Sequence, residues 1–469
     1  VSFDCLDFVA NGELQIVDLW VQDEAGNWDY CIGSITLQAL CFDPPSMAMI
    51  AGYVENESGD MVDEVNVTLD GYDAFPILTG NQGDYAFDEL PTGDDYGIIP
   101  EKNINMWNGV TSYDLVVLGK HLLNIELIDS PYRRIAADVD NSGSINIFDM
   151  IELRKLILHL SVEFPNGNTS WRFVPSNYVF PNYPDPFGGT FPEVYSIDNL
   201  SGDMMSANFI GIKTGDLNGN AIANNLQETE VRNLDRALNF SVADQRLVAE
   251  QTYTIDFKAK DFKAMAAYQF TMNFDREALT FVELIPGNLP DLGMDNFGLH
   301  LLDEGFMTAS WSHIVAQTLE DDEVIFSVVV KANETQDLKS VIGINSRYTA
   351  AEAYTTAAGN GDVELLTVAL AFASEEGVEV EDQDFALYQN RPNPFKGQTV
   401  IGFYLPEASM TNLSIYDTAG KLLKTYRKDL TKGYHEISVD RSVLSTTGVL
   451  YYQLDTPNHT ATRKMILLD

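Results

Sequence analysis

One segment of the sequence carries oxygen ligands at the spacing of a cation-binding loop. Residues 138–149 place acidic, hydroxyl or amide side chains at positions 1, 3, 5, 7, 9 and 12, with Gly at position 6: Asp138, Asp140, Ser142, Ser144, Asn146 and Asp149. Ca²⁺ takes about six to eight oxygen ligands, position 7 gives its carbonyl, and Gly at position 6 permits the sharp turn. The spacing predicts Ca²⁺ as a cofactor; the alternative is a turn that only caps the next helix.

This loop is the second copy of an internal repeat. Residues 105–123 align with residues 140–158 at an offset of 35 positions, so that Tyr113 and Asp114 match Phe148 and Asp149. Apolar residues follow the last Asp of each copy at helical spacing, which predicts a loop entering an amphipathic helix. The duplicated segment resembles dockerins, whose loops also end in Asp. The resemblance implies a small helical, calcium-binding module within residues 102–225.

The first copy lacks the expected carboxylates. Asn103, Asn105 and Trp107 stand at its positions 1, 3 and 5, whereas Asp114 remains at position 12. Far downstream, three oxygen-bearing residues have the spacing of the first half of a loop: Asp216, Asn218 and Asn220. We hypothesise a split second site formed by these three residues and Asp114, which requires Asp216 to lie within about 10 Å of Asp114. The alternatives are a solvated turn, or a site that uses only its own oxygens.

The last segment, residues 385–469, consists of short alternating strands bounded by Gly, Pro and Asp, a pattern typical of a β-sandwich. It resembles the type A C-terminal sorting domain of proteins exported by the type IX (Por) secretion system of Bacteroidetes. The resemblance identifies ten residues as the sorting signal: Pro392, Asn393, Pro394, Phe395, Gly420, Lys421, Gly433, Gly448, Tyr451 and Lys464. Asn390 and the closing residues Met465, Ile466 and Leu467 also carry the resemblance. The alternative is an ordinary terminal immunoglobulin-like domain.

The sorting-domain resemblance has three implications. It implies export across the outer membrane to the cell surface or the extracellular space. It implies the type IX translocon and its outer-membrane shuttle and attachment proteins as partners. It also implies cleavage near a linker, and residues 373–384, which hold six carboxylates and few apolar groups, are predicted to be that solvated linker.

Charge divides the chain at the same place. Residues 387–469 hold 10 Lys and Arg against 7 Asp and Glu, whereas the whole chain has a net charge of −42. A strongly acidic chain disfavours nucleic acids and anionic membrane surfaces as partners. The sequence also lacks an apolar run of about 20 residues, so we expect no transmembrane helix.

Three further segments read as β-domains. Residues 1–42 are similar to the end of an HYR-like, immunoglobulin-like repeat, and residues 47–101 are similar to carboxypeptidase-regulatory-like or Cna-B-like sandwiches. Residues 235–372 resemble the cohesin fold, through a block from Ala267 to Phe281 and through Trp311. Because cohesins bind dockerins, this resemblance implies a contact within the chain or between chains; we favour a fixed contact within the chain. The fold class is therefore mainly β and multidomain, with tandem immunoglobulin-like or cohesin-like sandwiches and one small helical module.

The cysteines and aromatic residues leave alternatives open. The three cysteines are Cys5, Cys31 and Cys41, and an odd number in an exported protein indicates a free thiol or a partner outside this sequence. A Cys5–Cys31 disulfide is one of the possible pairings. Between the helices and residue 216, an aromatic and Pro-rich stretch contains Trp171, Tyr178 and Tyr183, which could pack in a core or form a carbohydrate-binding platform.

No catalytic motif is present in the sequence. The six histidines have no metal-ligand spacing, and the nucleophile-elbow, phosphate-loop and dinucleotide patterns are missing. We therefore expect a non-enzymatic, adhesin-like protein of the cell surface, stabilised by calcium. Because the chain opens without Met or a basic segment, we expect it to be the C-terminal part of a longer precursor. The alternatives are the tail of an exported protease or glycosidase whose catalytic domain lies upstream, and a component of a cohesin–dockerin scaffold.

Overall fold

The computed structural model describes residues 14–36, 46–224, 237–356, 363–373 and 385–468, except 407, 418–420, 432, 445 and 458–459. Within these residues the fold is mainly β, with several sheets and three α-helices, which confirms the predicted fold class. The first element is a hairpin whose strands pair antiparallel, with Trp20 opposite Tyr30: β1 (Leu14–Gln22) and β2 (Trp28–Thr36). Cys31 lies exposed on β2, while Cys5 and Cys41 fall outside the described residues, so the disulfide stays a prediction.

The next unit consists of two four-stranded sheets around one core. One sheet has the order β6-β3-β10-β8 and the other β5-β4-β7-β9. Their strands are β3 (Met47–Asn56), β4 (Asn66–Asp70), β5 (Ile77–Leu78), β6 (Asp84–Pro91), β7 (Tyr96–Glu101), β8 (Trp171–Pro175), β9 (Tyr195–Ile197) and β10 (Phe209–Lys213). We call this unit the first sandwich.

The first sandwich differs from the predicted domain of residues 47–101. Strands β8, β9 and β10 come from the segment predicted to belong to the helical module, yet they complete both sheets, with β10 parallel to β3. The cause is apolar burial: Trp171, Phe173 and Phe209 are at most 3% exposed in the same core as Ile50 and Val54. The helices are therefore an insertion between β7 and β8 rather than a separate module after a finished domain.

Three short helices form the inserted helical unit: α1 (Ser112–Leu122), α2 (Pro131–Ala137) and α3 (Ile147–Ile157). Each begins at a polar N-cap. Ser130 accepts from the backbone N–H groups of Tyr132 and Arg133, and Asn146 accepts from Phe148. Leu118, Leu153 and Leu156 pack between α1 and α3 in a core that also holds Val174 and Ile212 of the sandwich strands.

Residues 237–373 form the large β-domain, in which ten strands line one core. The sheet order is β15-β18-β13-β11-β22-β21-β14-β17-β16, and β20 also pairs with β14. The strands are β11 (Ala237–Ala243), β12 (Arg246–Leu247), β13 (Thr252–Lys260), β14 (Met265–Phe274), β15 (Leu279–Pro286), β16 (Phe297–Gly298), β17 (Phe306–Gln317), β18 (Val324–Ala332), β19 (Gln336–Asp337), β20 (Ile342–Asn345), β21 (Glu352–Thr355) and β22 (Glu364–Ala373). Strands β12 and β19 form a separate ribbon.

The C-terminal unit is a sandwich of two sheets, ordered β23-β24-β27 and β26-β25-β28-β29. Its strands are β23 (Ala386–Leu387), β24 (Gln398–Leu405), β25 (Ser409–Tyr416), β26 (Leu422–Leu430), β27 (Gly433–Asp440), β28 (Gly448–Asp455) and β29 (Thr460–Leu467). Buried residues of both sheets, among them Phe403, Ile415 and Tyr452, meet in one core.

Single 3-10 turns lie at Pro165–Gly167, Met294–Asn296, Leu302–Glu304, Leu338–Ser340 and Arg441–Val443.

Candidate metal centres and the docking interface

The predicted calcium loop lies between α2 and α3, and its carboxylates converge. One carboxylate oxygen from each of Asp138, Asp140 and Asp149 lies within 4.8 Å of the others. The loop is held by its own backbone: Ser142 N–H donates to Asp138 Oδ1 (2.8 Å), and Asp140 N–H donates to Asp149 Oδ1 (3.1 Å). Gly143 has φ +75°, the left-handed conformation that glycine adopts without strain. We call this cluster the continuous site.

The electrostatics of the continuous site favour a bound cation. Asp138 and Asp149 are 2% and 0% exposed. Burial, helped by the neighbouring carboxylates, raises the pKa of Asp149 to about 7 and also raises the pKa of Asp138. A divalent cation would offset the cost of placing these charges together in a poorly hydrated cluster.

The remaining predicted ligands of this loop have mixed roles. Ser142 and Ser144 are exposed, and their hydroxyls lie 3.2 Å apart. The Asn146 side-chain oxygen accepts from Phe148 N–H at 2.8 Å, so this oxygen caps α3. The capping turn considered as the alternative is therefore present, and it is compatible with a cation because the three Asp carboxylates converge without the Asn146 side-chain oxygen.

The loop of residues 216–220, which follows β10, lies against the N-terminus of α1. Asp114 Oδ1 accepts from the N–H groups of Leu217 (2.8 Å) and Asn218 (3.2 Å), so the predicted partners of the split site are adjacent. The chain returns to α1 because β10 is fixed between β3 and β8 of the first sandwich. We call Asp114, Asp216, Asn218 and Asn220 the split site.

The split site repeats the hydrogen bonds of the continuous site. Asp114 Oδ1 accepts from Asn218 N–H as Asp149 Oδ1 does from Asp140 N–H. Asp114 Oδ2 accepts from the N-cap Thr111 N–H (2.8 Å) as Asp149 Oδ2 does from Asn146 N–H (2.8 Å). The Asp216 carboxylate accepts from the backbone N–H groups four and five residues further along the chain, and the Asp138 carboxylate does the same in its own loop. Two chain segments thus build what one continuous loop builds in the second copy.

The two carboxylates of the split site are buried, like Asp138 and Asp149 of the continuous site. Asp114 is 0% and Asp216 is 8% exposed. Burial and the Asp216 carboxylate raise the pKa of Asp114 to about 8, and burial raises that of Asp216. Among the described residues, the Asn220 side-chain oxygen is buried without a hydrogen-bond partner. This oxygen is at position 5 of the loop, where a cation ligand is expected.

Lys213 is the basic group associated with the split site. It is 5% exposed, and its Nζ donates to the carbonyls of Met106 (2.9 Å) and Thr214 (3.0 Å). Burial lowers its pKa to about 7, while Asp216 and Asp114 act in the opposite direction. These carbonyls hold the ammonium group, and among the described residues it forms no ion pair within 4 Å with Asp114 or Asp216.

The large β-domain docks on the N-terminus of α1. Gln269 of β14 accepts from Ser112 N–H (2.6 Å) and from the Ser112 hydroxyl (3.0 Å), which also contacts the Ser310 hydroxyl of β17 (2.6 Å). Tyr113 stacks on Tyr354 with ring centroids 5.3 Å apart. Ser112, Gln269 and Ser310 are at most 2% exposed, so these hydrogen bonds are buried.

The C-terminus of α3 docks on the same domain through its free carbonyls. Thr349 donates to the Ile157 carbonyl (2.6 Å) and Thr308 donates to the Leu158 carbonyl (2.8 Å). A Cβ on Gly298 would lie 2.8 Å from the Leu158 carbonyl, so glycine permits this approach. Helix ends leave carbonyls unpaired, and here another domain satisfies them.

Trp107, at position 5 of the first copy, contacts the end of α3. Its Nε1 donates to the Leu156 carbonyl at 3.1 Å, and its ring stacks on His159 at 4.4 Å. Position 5 of the first copy therefore serves the helix ends and the interface instead of a cation. Sequence reasoning missed the docking residues Ser112, Gln269, Thr308 and Thr349, because a polar side chain on a strand gives no signal of what it contacts.

The aromatic stretch does not form a platform from the three candidate residues. Trp171 is 2% exposed in the core of the first sandwich, and Tyr178 packs edge-on against Phe180 at 5.0 Å. Tyr183 is 70% exposed. Packing, the alternative named above, accounts for Trp171 and Tyr178.

The sorting-signal residues at the two ends of the C-terminal unit are neighbours. Asn393 Oδ1 accepts from Ile466 N–H (2.7 Å), and Phe395 N–H donates to the Ile466 carbonyl (3.0 Å). Phe395 is buried, whereas Pro392, Pro394 and Lys464 are exposed. Gly433 and Gly448 have positive φ values of 133° and 98°. Lys421 N–H donates to the Asp417 carboxylate, Tyr451 is 41% exposed, and Gly420 lies outside the described residues.

Comparisons with known proteins identify the C-terminal unit. Residues 391–468 match the family described as secretion system C-terminal sorting domain. The search of curated proteins gave no match. No helix in the described part of the chain has the length and apolar character needed to cross a membrane.

Several solved structures are similar to parts of the chain. The seventh ScaB type I cohesin of Pseudobacteroides cellulosolvens is 11% identical, with a TM-score of 0.23, and covers 32% of this chain and 99% of its own. A type I cohesin–dockerin complex of Clostridium thermocellum is 10% identical, with a TM-score of 0.22, over 29% of this chain and 99% of its own. The major pilin subunit BcpA of Bacillus cereus is 9% identical, with a TM-score of 0.17, and covers 90% of this chain and 94% of its own.

Those TM-scores lie below 0.5, so the domain types of the other β-units stay predictions. The family match in the last segment is of a different kind, because it covers residues 391–468, which fold as one sandwich around one core. The chain carries a C-terminal sorting domain of the type IX secretion system and is exported by that system to the cell surface or the extracellular space.

Proposed function

We propose that this chain is the non-catalytic, adhesin-like part of an exported surface protein, in which bound Ca²⁺ stiffens the helical joint between two β-domains. Its partners would be the type IX translocon with its outer-membrane shuttle and attachment proteins. The large β-domain would act as a cohesin-like domain that holds the dockerin-like helices of its own chain.

One observation carries the proposal. Three carboxylates converge within 4.8 Å in a loop with the ligand spacing of a calcium site, and a second, split loop reproduces its hydrogen bonds. Hard cations such as Ca²⁺ prefer such oxygen-rich loops. The buried, mutually repelling carboxylates supply the driving force, since each unneutralised charge in a low-dielectric site is costly.

The mechanical role follows from where the helices lie. They are inserted between β7 and β8 of the first sandwich, and their ends dock on the large β-domain. An ion that orders the two loops would fix α1 and α3, and with them the angle between the two β-domains. Ligand binding to the folded state alone stabilises it by about 2.7 kcal/mol at a concentration of 100 times Kd. Low calcium before export would leave the joint loose.

Thermal unfolding of the full chain tests the proposal. In the wild type, we expect chelation of calcium to lower the temperature at which the helical unit unfolds. Asp138→Asn/Asp149→Asn, which keeps side-chain shape, should lower the midpoint in calcium and reduce the response to chelator. Asp322→Asn, in an exposed acidic turn, is the matched control and should respond like the wild type. A wild-type midpoint that is independent of calcium would refute the proposal.

A further inference from the structure

We infer that cation binding at the split site is coupled to docking of the large β-domain, whereas binding at the continuous site is not. The inference rests on the calcium sites of the proposed function and adds a division of labour between them. The continuous site would stabilise the helical unit itself, and the split site would act as an interdomain clamp.

Asp114 lies close to a docking contact. It is the third residue of α1, and its Oδ2 accepts from the backbone N–H (2.8 Å) and hydroxyl (2.9 Å) of Thr111. Ser112, the next residue, donates its N–H to Gln269 of the large β-domain. The carboxylate that would bind the ion and the amide that docks the domain therefore lie in the same helical turn.

The continuous site and the docking contacts lie at opposite ends of α3. Asp149 lies at the N-terminus of α3, whereas α3 docks through its C-terminal carbonyls, Ile157 and Leu158. Eight residue steps of about 1.5 Å place Ile157 about 12 Å along the helix from Asp149. Ile147 and Phe148, beside Asp149, are 54% and 63% exposed, so the large β-domain does not cover these two side chains.

The split-site loop reaches a cavity at the docking interface. Asn220, Thr111 and Gln269 line one cavity with Trp107 and Thr349, at a junction of the helical unit, the large β-domain and β27 of the C-terminal unit. The cavity has a volume of about 660 Å³. Asn220 therefore brings the split-site loop to this junction.

Coupling follows from these positions. An ion held by Asp114 and Asp216 would fix the Thr111–Asp114 turn and so hold Ser112 N–H aimed at Gln269. By linkage, docking must then raise the affinity of the split site by the same factor. Coupling between sites typically amounts to roughly 5- to 150-fold in affinity, and we expect about tenfold here because two interface hydrogen bonds depend on that turn.

Calcium titration of the full chain by calorimetry tests the inference. Asp138→Asn isolates the split site, and Asp216→Asn isolates the continuous site. In each background, docking is weakened in two ways: by Gln269→Ala at α1, and by Thr308→Val/Thr349→Val at the far end of α3, which touches neither cation site. The matched control is Ser327→Ala, which removes a hydroxyl that contacts Asp256 away from the interface.

The expected result is a split site weakened about tenfold by both docking variants, and a continuous site changed less than twofold. Equal calcium affinity with and without the docking variants at the split site would overturn the inference while leaving the calcium sites intact. Absence of calcium binding by the Asp138→Asn protein would overturn the split site and the coupling together. A continuous site weakened as strongly as the split site would show general destabilisation instead of coupling.

A second readout separates docking from folding. Hydrogen exchange of the Ser112 amide should slow on addition of calcium in the wild type and in Asp138→Asn, but not in Asp216→Asn. Exchange in Asp216→Asn that slows as much as in the wild type would contradict the inference, because the continuous site would then control docking.

Discussion

The double substitution Thr308→Val/Thr349→Val tests the docking interface most specifically. Each threonine is at most 3% exposed, and each hydroxyl donates to a C-terminal carbonyl of α3, Leu158 or Ile157. Valine has nearly the same shape, so the change removes two hydrogen bonds and leaves little cavity. An unpaired buried carbonyl costs about 1–3 kcal/mol, so leaving two of them unpaired favours undocking by about 2–6 kcal/mol.

Differential scanning calorimetry of the full chain measures this effect. A loss of about 1 kcal/mol lowers the unfolding midpoint of a unit of this size by about 2–4 °C. We therefore expect the midpoint of the transition shared by the large β-domain and the helical unit to fall by at least about 4 °C, and the single transition to split into two. The control is Thr411→Val, a buried threonine of the sorting domain whose hydroxyl donates to the Lys428 carbonyl. If the double variant shifted the shared transition no more than Thr411→Val does, the docking contacts would not hold the two units together.

Three further predictions follow from single sites. Calcium affinity of the continuous site can be measured in the Asp216→Asn protein. It should rise about tenfold per pH unit below the raised pKa of Asp149, about 7, and stay constant above it, because the ion binds the deprotonated carboxylate. A calcium affinity that does not change from about pH 5 upward would contradict this. Gly109→Ala should abolish calorimetric binding at the split site only, since a Cβ there would lie 2.6 Å from Ala221 Cα and φ is +70°; equal loss at both sites would be the contrary result. Phe395→Ala should lower sorting-domain stability by about 3–5 kcal/mol in denaturant titrations, because the ring is 2% exposed in the core; a loss under 1 kcal/mol would show that the loop is not part of that core.

The sequence predicted the features that depend on local spacing. The loop from Asp138 to Asp149 could be proposed because its ligand positions and its Gly143 are consecutive in the chain. The strands of the sorting domain could be proposed because alternation and turn residues repeat over short distances. The mainly β class and the exported location, both inferred at this level, are confirmed.

The features that depend on distant pairing could not be predicted. Strand β10 joins β3 in parallel across more than 150 residues, and no local pattern in Phe209–Lys213 names that partner. The docking bonds from Thr349 to Ile157 and from Gln269 to Ser112 span 192 and 157 positions. The split site lies between these cases: the residue types suggested it, but only the course of β10 brings Asp216 to Asp114.

Calcium stoichiometry tests the central claim most directly. Equilibrium dialysis of the full chain against labelled calcium counts the ions held at saturation, independently of any effect on stability. The account predicts two ions per chain in the wild type, one in Asp138→Asn, one in Asp216→Asn and none in the double variant. A wild-type chain that binds no calcium, or one whose binding is unchanged in the double variant, would contradict the account.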